Sequence, residues 1–262
     1  MLAEAAPGYE MVKSETLQGL HLGLLVKKEI SHCCTIEGTA VLRAGACNLL
    51  GNKGAIAITI NLLGQNIQFV TCHLAPHQTE SDRRNETLLA IIDNLIDTDV
   101  ATEAFIFGDL NYRIDMTKKE YFKMLKEKGV IKLGHTEAEK DESVYSGYNP
   151  LAEKKKNNDE VMGYSKMIKK DQLMLQQILK DQFLTFFIEE EIKFPPTYKM
   201  DPENPYYCLT RIPGWTDRIF YRKGRVRPKT YSCLYDVYGS DHRPVVASYE
   251  LETEEALSIF PD

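Results

Sequence analysis

The sequence predicts an α/β or α+β fold with a layered sheet core. Apolar runs with a two-residue period alternate along the chain with runs of helical spacing, and a turn-like segment joins two of the strands. The 262 residues, of which 43% are hydrophobic, are enough to bury a large core. We therefore expect one layered domain over residues 1–262.

The predicted strands are short runs of apolar or alternating side chains bounded by turn residues. The segment "NLLGQN" separates the second strand from the third and predicts a hairpin turn between them. The fourth strand is apolar throughout and stops at a glycine. In chain order, the predicted strands are 20–30, 55–60, 67–72, 104–107, 216–221 and 244–251.

Apolar residues at spacings of three and four predict three helices, at 85–96, 117–128 and 175–187. Thr117 is expected to cap the second helix, because its hydroxyl can accept a hydrogen bond from a free backbone N–H. Residues 134–160 carry many charges and few large apolar groups, which predicts an exposed loop.

Charge and composition narrow the classes of function. The net charge is −6, so nucleic acid is not an expected partner, since phosphate binding requires surplus Lys and Arg. The six cysteines include no C-x-x-C pair and suit a reduced, cytoplasmic protein. The first residues have no secretory pattern, and no apolar run is long enough to cross a membrane.

Polar residues cluster where predicted strands begin or end, in "TCHLAPH" (71–77), "GDLNYR" (108–113), "GWTDRIFY" (214–221) and "SDHRPV" (240–245). Ligands of layered α/β folds gather at such strand ends. Each segment also has a structural explanation. Asp109 with Asn111 could form an Asx-turn, and His73 could be a buried histidine of the core. Asp217 with Arg218 could be a surface ion pair, and Asp241 with His242 could cap a turn.

The combination of these side chains indicates metal-assisted phosphate hydrolysis. That reaction requires carboxylates to bind Mg²⁺, a polar group to orient water, and a cationic histidine to stabilise charge at phosphorus. The same segments resemble the signature motifs of the inositol polyphosphate 5-phosphatases, within the DNase-I-like superfamily. Further similarity lies, in the same order, in "GNKGAIAI" (51–58), "CHLAPHQTESDRRNE" (72–86) and "FPPTYKMD" (194–201).

The resemblance implies a DNase-I-like four-layer sandwich, in which two mixed β-sheets are flanked by helices. It also implies catalytic roles for five residues. Asp109 would activate or position water, Asn111 would hold water, phosphate and metal, His242 would stabilise the pentacoordinate phosphorus, Asp217 would orient the His242 ring, and His73 would contact the scissile phosphate. Asp241 would lie near the Mg²⁺.

The same resemblance implies a pocket for phosphoinositide lipids or soluble inositol polyphosphates. Tyr198, Lys199 and Arg211 would bind the neighbouring 4-phosphate, and Lys53 and Arg218 would add positive charge. Without the motif, Lys199 would be interpreted as a solvated loop charge. Residues 46–50 correspond to a loop that contacts lipid in related enzymes, or else they belong to the core. From the resemblance as a whole, we expect a cytoplasmic protein that binds membranes peripherally.

The chain departs from the family pattern at its start. Family domains open with a strand carrying Trp-Asn and a second strand ending in Gln-Glu, whose Glu is the main Mg²⁺ ligand. The present sequence aligns downstream of that Glu, which implies an N-terminally truncated domain lacking about 50–60 residues of sheet. Either the sequence is a fragment of an active enzyme, which the intact catalytic residues favour, or it is a short form with an impaired metal site.

Three functions remain open at this point. The first is an Mg²⁺-dependent phosphatase that removes the 5-phosphate of phosphoinositides or soluble inositol polyphosphates. The second is a catalytically impaired module that binds phosphoinositides, suggested by the missing Glu. The third is a DNase-I-like nuclease, which the acidic net charge and the "PPTYK" segment disfavour.

Overall fold

The computed structural model describes residues 6–44, 53–97, 102–127, 164–208 and 210–252. Its strands are β1 (Tyr9–Leu17), β2 (Leu20–Lys27), β3 (Cys34–Arg43), β4 (Gly54–Leu62), β5 (Gln65–His73), β6 (Glu103–Asp109), β7 (Phe187–Glu189), β8 (Asp217–Arg222), β9 (Val226–Cys233) and β10 (Val245–Leu251). Its helices are α1 (Ser81–Leu95), α2 (Lys118–Glu127), α3 (Tyr164–Ile168), α4 (Gln172–Leu175) and α5 (Gln177–Gln182).

The centre of the molecule is a six-stranded mixed sheet with the order β3-β4-β5-β6-β8-β7. Only the β5–β6 pair is parallel among its described strands, and α1 lies between these two strands in the chain. A crossover of this kind is required because a tight hairpin cannot join parallel neighbours. All six predicted strands are present, although their ends differ from the predicted ones by up to a few residues.

The predicted hairpin between β4 and β5 is confirmed. The two strands pair up to Leu62 and Gln65, which leaves a two-residue loop of Leu63 and Gly64. Both loop residues have positive φ, at 54° and 83°, as a type I′ turn requires. The Asn61 side chain stabilises the turn by accepting a hydrogen bond from the Gly64 N–H at 3.1 Å.

The two faces of the central sheet are covered differently. Helices α1 and α5 pack on one face, where Leu88, Ile91 and Leu179 are fully buried. The other face is covered by two separate two-stranded sheets, β1-β2 and β9-β10. The predicted fold class is therefore confirmed, but the second sheet of the expected sandwich consists of two hairpins. An apolar groove of about 840 Å³ lies between β2 and β10.

The helix predictions were partly right. At the start of α2, Thr117 and Glu120 form a reciprocal capping box, in which the Glu120 N–H donates to the Thr117 hydroxyl at 3.2 Å. The single helix predicted at 175–187 is wrong. The chain instead forms α4 and α5, separated by the extended Gln176, and then β7. Of its six apolar residues, Leu179, Phe183 and Phe187 enter the core, whereas Leu175, Ile178 and Phe186 are exposed, so the spacing does not mark one buried helix face.

Other predictions concern parts of the chain that the structure does not describe. Residues 46–50 and 134–160 lie outside the described ranges, so the loop assigned to each stays a prediction, as does the single domain over 1–262. In the described part of the chain, none of the helices has the length and apolar character needed to cross a membrane.

Candidate active site

Three strand ends meet at one edge of the central sheet. In the parallel pair, His73 at the end of β5 lies opposite Asp109 at the end of β6. In the antiparallel pair, Asp109 lies opposite Asp217, the first residue of β8. The carboxylates of Asp109 and Asp217 and the imidazole of His73 are thus adjacent because of strand register.

Asp109 lies at the centre of this group. Its Oδ2 atom is 3.2 Å from the His73 Nε2 atom, and its Oδ1 accepts a hydrogen bond from the Asn111 N–H at 3.0 Å. Burial raises the pKa of Asp109, but the His73 hydrogen bond and the positive charges of His242, His73 and Arg113 outweigh it, so the pKa is lowered. Asp109 therefore forms the Asx-turn that was its structural explanation and is also the ionised carboxylate of the site.

Asn111 is buried in the left-handed backbone region, with φ of 57°. Asn tolerates this conformation better than most residues do. Its Nδ2 atom donates to Asp109 Oδ2 at 3.0 Å and to the Leu74 carbonyl at 3.1 Å. Its Oδ1 atom accepts from the guanidinium of Arg113. Every hydrogen-bonding group of the amide is thus used to fix its orientation beside Asp109.

His242 faces this group from the loop before β10. Its Nδ1 atom lies 2.9 Å from Asp217 Oδ2, which also accepts hydrogen bonds from Thr197 at 2.8 Å and Thr216 at 3.0 Å. Burial lowers the pKa of His242, but the hydrogen bond and charge of Asp217, with smaller contributions from Asp109 and another carboxylate, raise it overall. The imidazolium form is therefore favoured at the site.

The site has two halves, one formed by Asp109 with His73 and Asn111 and the other by His242 with Asp217. These halves are close enough to share a ligand. Asp109, Asp217 and His242 each offer one ligand atom, and these atoms lie within 4.8 Å of one another. The two carboxylates suit a divalent cation, so the residues present fit a metal ion, whereas His242 would bind it only as the neutral imidazole. Asp241 is not part of this cluster, and its carboxylate lies 4.0 Å from the Lys199 ammonium. Its role as a metal ligand stays a prediction.

Three of the five predicted substrate-binding residues, Lys53, Tyr198 and Lys199, lie beside the two halves of the site. We call the space between these side chains the cleft. The ammonium of Lys53 contacts the His73 ring. The ring of Tyr198 packs against the ring of His242 at a tilt of 36°, with 4.5 Å between centroids. Arg211 is exposed, and its role stays a prediction.

The predicted role of Arg218 in the substrate pocket is wrong. Its side chain is 1% exposed, and its guanidinium binds both oxygens of Glu189 as well as Asp171 Oδ1 at 3.1 Å. Burial opposes its charge, but these two carboxylates raise the pKa of Arg218 above its usual range. Because alternate residues of a strand face opposite sides, Arg218 points away from the cleft that Asp217 enters. It holds a buried ion cluster together and does not line the pocket.

Sequence reasoning missed Arg113 and the two threonines that bond to Asp217. Arg113 contacts Asn111 and Tyr198, which belong to opposite halves of the cleft. Its only signal in the sequence is its position two residues after Asn111, in "GDLNYR". Thr197 and Thr216 flank residues that were singled out, but a hydroxyl in a loop has no pattern that distinguishes a site residue from a solvated one.

Comparison with known proteins points to one family. Residues 1–248 match Endonuclease/Exonuclease/phosphatase family 2. The human phosphatidylinositol 3,4,5-trisphosphate 5-phosphatase 2 is 29% identical over 93% of this chain, which covers 18% of that relative. The inositol-1,4,5-trisphosphate 5-phosphatase 1 of Schizosaccharomyces pombe is 31% identical over 94% of this chain, which covers 20% of it. The chain thus spans about a fifth of the length of these relatives.

Solved structures agree with this match. The inositol polyphosphate 5-phosphatase domain of SPsynaptojanin, solved with inositol (1,4)-bisphosphate and a calcium ion, superposes with a TM-score of 0.68. It is 30% identical, and the match covers 94% of this chain and 63% of that one. A Cimex nitrophorin superposes with a TM-score of 0.63 at 19% identity, over 92% of this chain and 74% of its own, which supports the fold alone.

Proposed function

The chain belongs to Endonuclease/Exonuclease/phosphatase family 2, and from this membership we propose that it hydrolyses the 5-phosphate of phosphorylated inositols. The substrates are phosphoinositide lipids, soluble inositol polyphosphates, or both. The proposal rests chiefly on one geometric observation, the approach of Asp109 to the His242–Asp217 pair within 4.8 Å. The names of the relatives support the choice of substrate, since they are 5-phosphatases of inositol phosphates and lipids.

Each half of the site supplies a different part of the reaction. Asp109, kept ionised by its lowered pKa, orients the attacking water, and Asn111 holds the carboxylate in place. His242, whose raised pKa favours the imidazolium form and whose ring is fixed by Asp217, stabilises the negative charge that develops on the transferred phosphoryl oxygens. Lys53 adds positive charge on the His73 side.

We infer that the cation is Mg²⁺ and that Asp109 would hold it, with Asp241 as a further candidate ligand. The predicted ligand role of Asn111 is not supported, because its Oδ1 atom accepts from Arg113 and its Nδ2 atom faces Asp109. Mg²⁺ favours oxygen ligands and commonly bridges carboxylates and substrate phosphates. When bound, it neutralises phosphate charge and lowers the pKa of a coordinated water. Lys199, 4.0 Å from Asp241, is placed to bind a phosphate next to the scissile one.

The direct test is phosphate release by the full chain from a soluble inositol polyphosphate with a 5-phosphate, compared with one that lacks it. We expect release from the first only, and loss of release in EDTA. Asp109→Asn and His242→Gln should each lower kcat by about 10²–10⁴-fold. Lys229→Met, which removes an exposed charge paired with Glu250, should leave kcat unchanged and is the matched control.

Two other outcomes would replace this proposal. Nicking of plasmid DNA without phosphate release would identify a nuclease. Binding of the inositol polyphosphate in calorimetry, without turnover at any Mg²⁺ concentration, would identify a binding module. If the two site variants kept normal turnover, the assignment of the catalytic residues would be wrong.

We also propose that the protein acts in the cytoplasm and associates with membranes peripherally. The lipid substrates named for the relatives lie at a membrane surface, and the described cysteines are free thiols. Sedimentation with phosphatidylcholine vesicles, with and without about 5% phosphatidylinositol bisphosphate, tests the second part; this fraction gives multivalent anionic headgroups at the surface. We expect binding only to the phosphoinositide vesicles, and equal binding to both would contradict it.

A further inference from the structure

One side chain connects the two halves of the candidate site. The Nε atom of Arg113 donates to the Asn111 carbonyl at 3.0 Å, and its Nη2 atom donates to Asn111 Oδ1. The same guanidinium lies over the ring of Tyr198, with its Cζ atom 4.8 Å from the ring centroid. Arg113 therefore contacts the Asp109 half through Asn111 and the His242 half through Tyr198.

The first contact fixes the oxygen end of the Asn111 amide, while the Leu74 carbonyl and the Asp109 carboxylate accept from its Nδ2 end. An amide can be turned over with little change in shape, and its hydrogen-bond partners decide which end faces the catalytic carboxylate. Because Arg113 has only donors, it accepts no bond from Nδ2 and holds Oδ1 on its own side. Nδ2 is then directed to Asp109 Oδ2, 3.0 Å away.

The second contact determines where the Tyr198 ring lies. Arg113 and His242 both pack against this ring, with the guanidinium carbon 4.8 Å and the imidazole centroid 4.5 Å from its centroid. The backbone of Tyr198 also forms isolated bridges to Gly214 and His242. A shift of the guanidinium would therefore be transmitted through the Tyr198 ring to His242.

Arg113 is itself held in place from behind. Its N–H donates to Gln172 Oε1 at 3.1 Å, and its carbonyl accepts from the Gln172 N–H at 2.8 Å. Gln172 Oε1 is in turn bound by the buried Arg84 at 2.6 Å. The base of the Arg113 side chain is thus fixed, which makes the position of its guanidinium reproducible.

We propose that Arg113 is a positioning residue that holds Asn111 and the His242 ring in register across the cleft. This inference rests on the proposed phosphatase function. The role depends on the planar fork of arginine, which donates through two nitrogens while its face covers an aromatic ring. A lysine would keep the charge and lose the paired hydrogen bonds, so charge alone would not be sufficient.

The test compares Arg113→Lys and Arg113→Met in the full chain, with Lys229→Met as the control. We expect both Arg113 variants to lower kcat by about 10–100-fold, as loss of an orienting partner does, while KM changes by less than about twofold. If Arg113→Lys restored kcat, or if Arg113→Met raised KM with kcat unchanged, Arg113 would only attract substrate phosphate and the proposal would be overturned.

A second measurement does not depend on turnover. The ring protons of His242 lie against the Tyr198 ring, so their NMR shifts report on the packing of that ring. Both Arg113 variants should move these resonances, and Lys229→Met should not. Unmoved resonances in folded Arg113 variants would overturn the proposal, whereas shifted resonances in a chain that releases no phosphate would mean that only the proposed function has failed.

Discussion

Asp217 and Arg218 are neighbours at the start of β8, and they belong to different parts of the molecule. Asp217 enters the cleft, where it binds His242 and two threonine hydroxyls and remains partly exposed. Arg218 points to the opposite face, where it is buried between Asp171 and Glu189. One peptide bond thus separates a group of the candidate site from a group of a buried ion cluster.

The difference lies in what water can reach. Asp217 keeps contact with solvent and can exchange partners when a ligand enters the cleft. Arg218 and its carboxylates have no such alternative, because an unpaired charge in the interior is very costly. We therefore expect changes at Asp217 to affect turnover and changes at Arg218 to affect stability, and the following predictions test that division.

The largest effect is expected from Arg218→Met. This change leaves the buried carboxylates of Asp171 and Glu189 without their cation, which should cost about 3–5 kcal/mol in the free energy of unfolding. Urea unfolding followed by circular dichroism measures the loss. Arg227→Met, which breaks an exposed pair with Glu252, is the control and should cost at most about 1 kcal/mol. Equal losses in the two variants would remove the distinction.

Asp217→Asn should lower turnover and leave stability nearly unchanged, the opposite of Arg218→Met. Loss of the carboxylate leaves the His242 ring without its anionic partner, so kcat should fall by about 10–100-fold. The urea midpoint should change little, since Asp217 is partly exposed. A normal kcat combined with a large loss of stability would show that Asp217 stabilises the fold and is not needed for turnover.

Lys199→Met tests the outer part of the cleft. Lys199 is partly exposed and lies 4.0 Å from Asp241, so its loss should barely affect folding. We expect KM to rise by about tenfold for substrates with a 4-phosphate, as for the loss of one charged hydrogen bond, and to stay unchanged for those without it. Equal effects on both substrates would show that Lys199 does not bind the 4-phosphate.

The smallest effect is the pH dependence of stability. Asp217, Asp109 and Asp241 raise the pKa of His242 in the folded protein. The stability gained from the imidazolium is complete below the unfolded value of about 6.5 and is lost as the pH rises through the raised pKa. In EDTA, the difference in unfolding free energy between the wild type and Asp217→Asn should therefore shrink by up to about 1 kcal/mol with rising pH, and a widening difference would contradict it.

The sequence was informative where apolar periodicity and strand ends coincide. The segments around Asp109, Asp217 and His242 were recognisable because polar residues there interrupt apolar strands. Strands β1, β3 and β9 were missed because their side chains are largely exposed and show little apolar alternation. The division of 175–187 into α4, α5 and β7 was missed because the buried Leu179, Phe183 and Phe187 keep a helix-like spacing of four residues although the elements change.

The partners of each charge were harder to predict than the charges themselves. Arg218 follows a site residue directly, and only the side-to-side alternation along a correctly bounded strand assigns it to the interior. Arg113 stands in the same motif as Asp109 and Asn111, but its contact with Tyr198 joins residues that are far apart in the chain. Such contacts depend on the completed fold and leave no local pattern.

The position of β8 has a consequence for how this sequence can evolve. Substitutions in the strand can be accepted one side chain at a time, whereas gain or loss of a single residue would turn its remaining side chains over. The Asp217 carboxylate would then enter the packed interior, and the Arg218 guanidinium would take its place in the cleft. Homologous lineages are therefore expected to vary in loop length while the six residues of β8 keep their number.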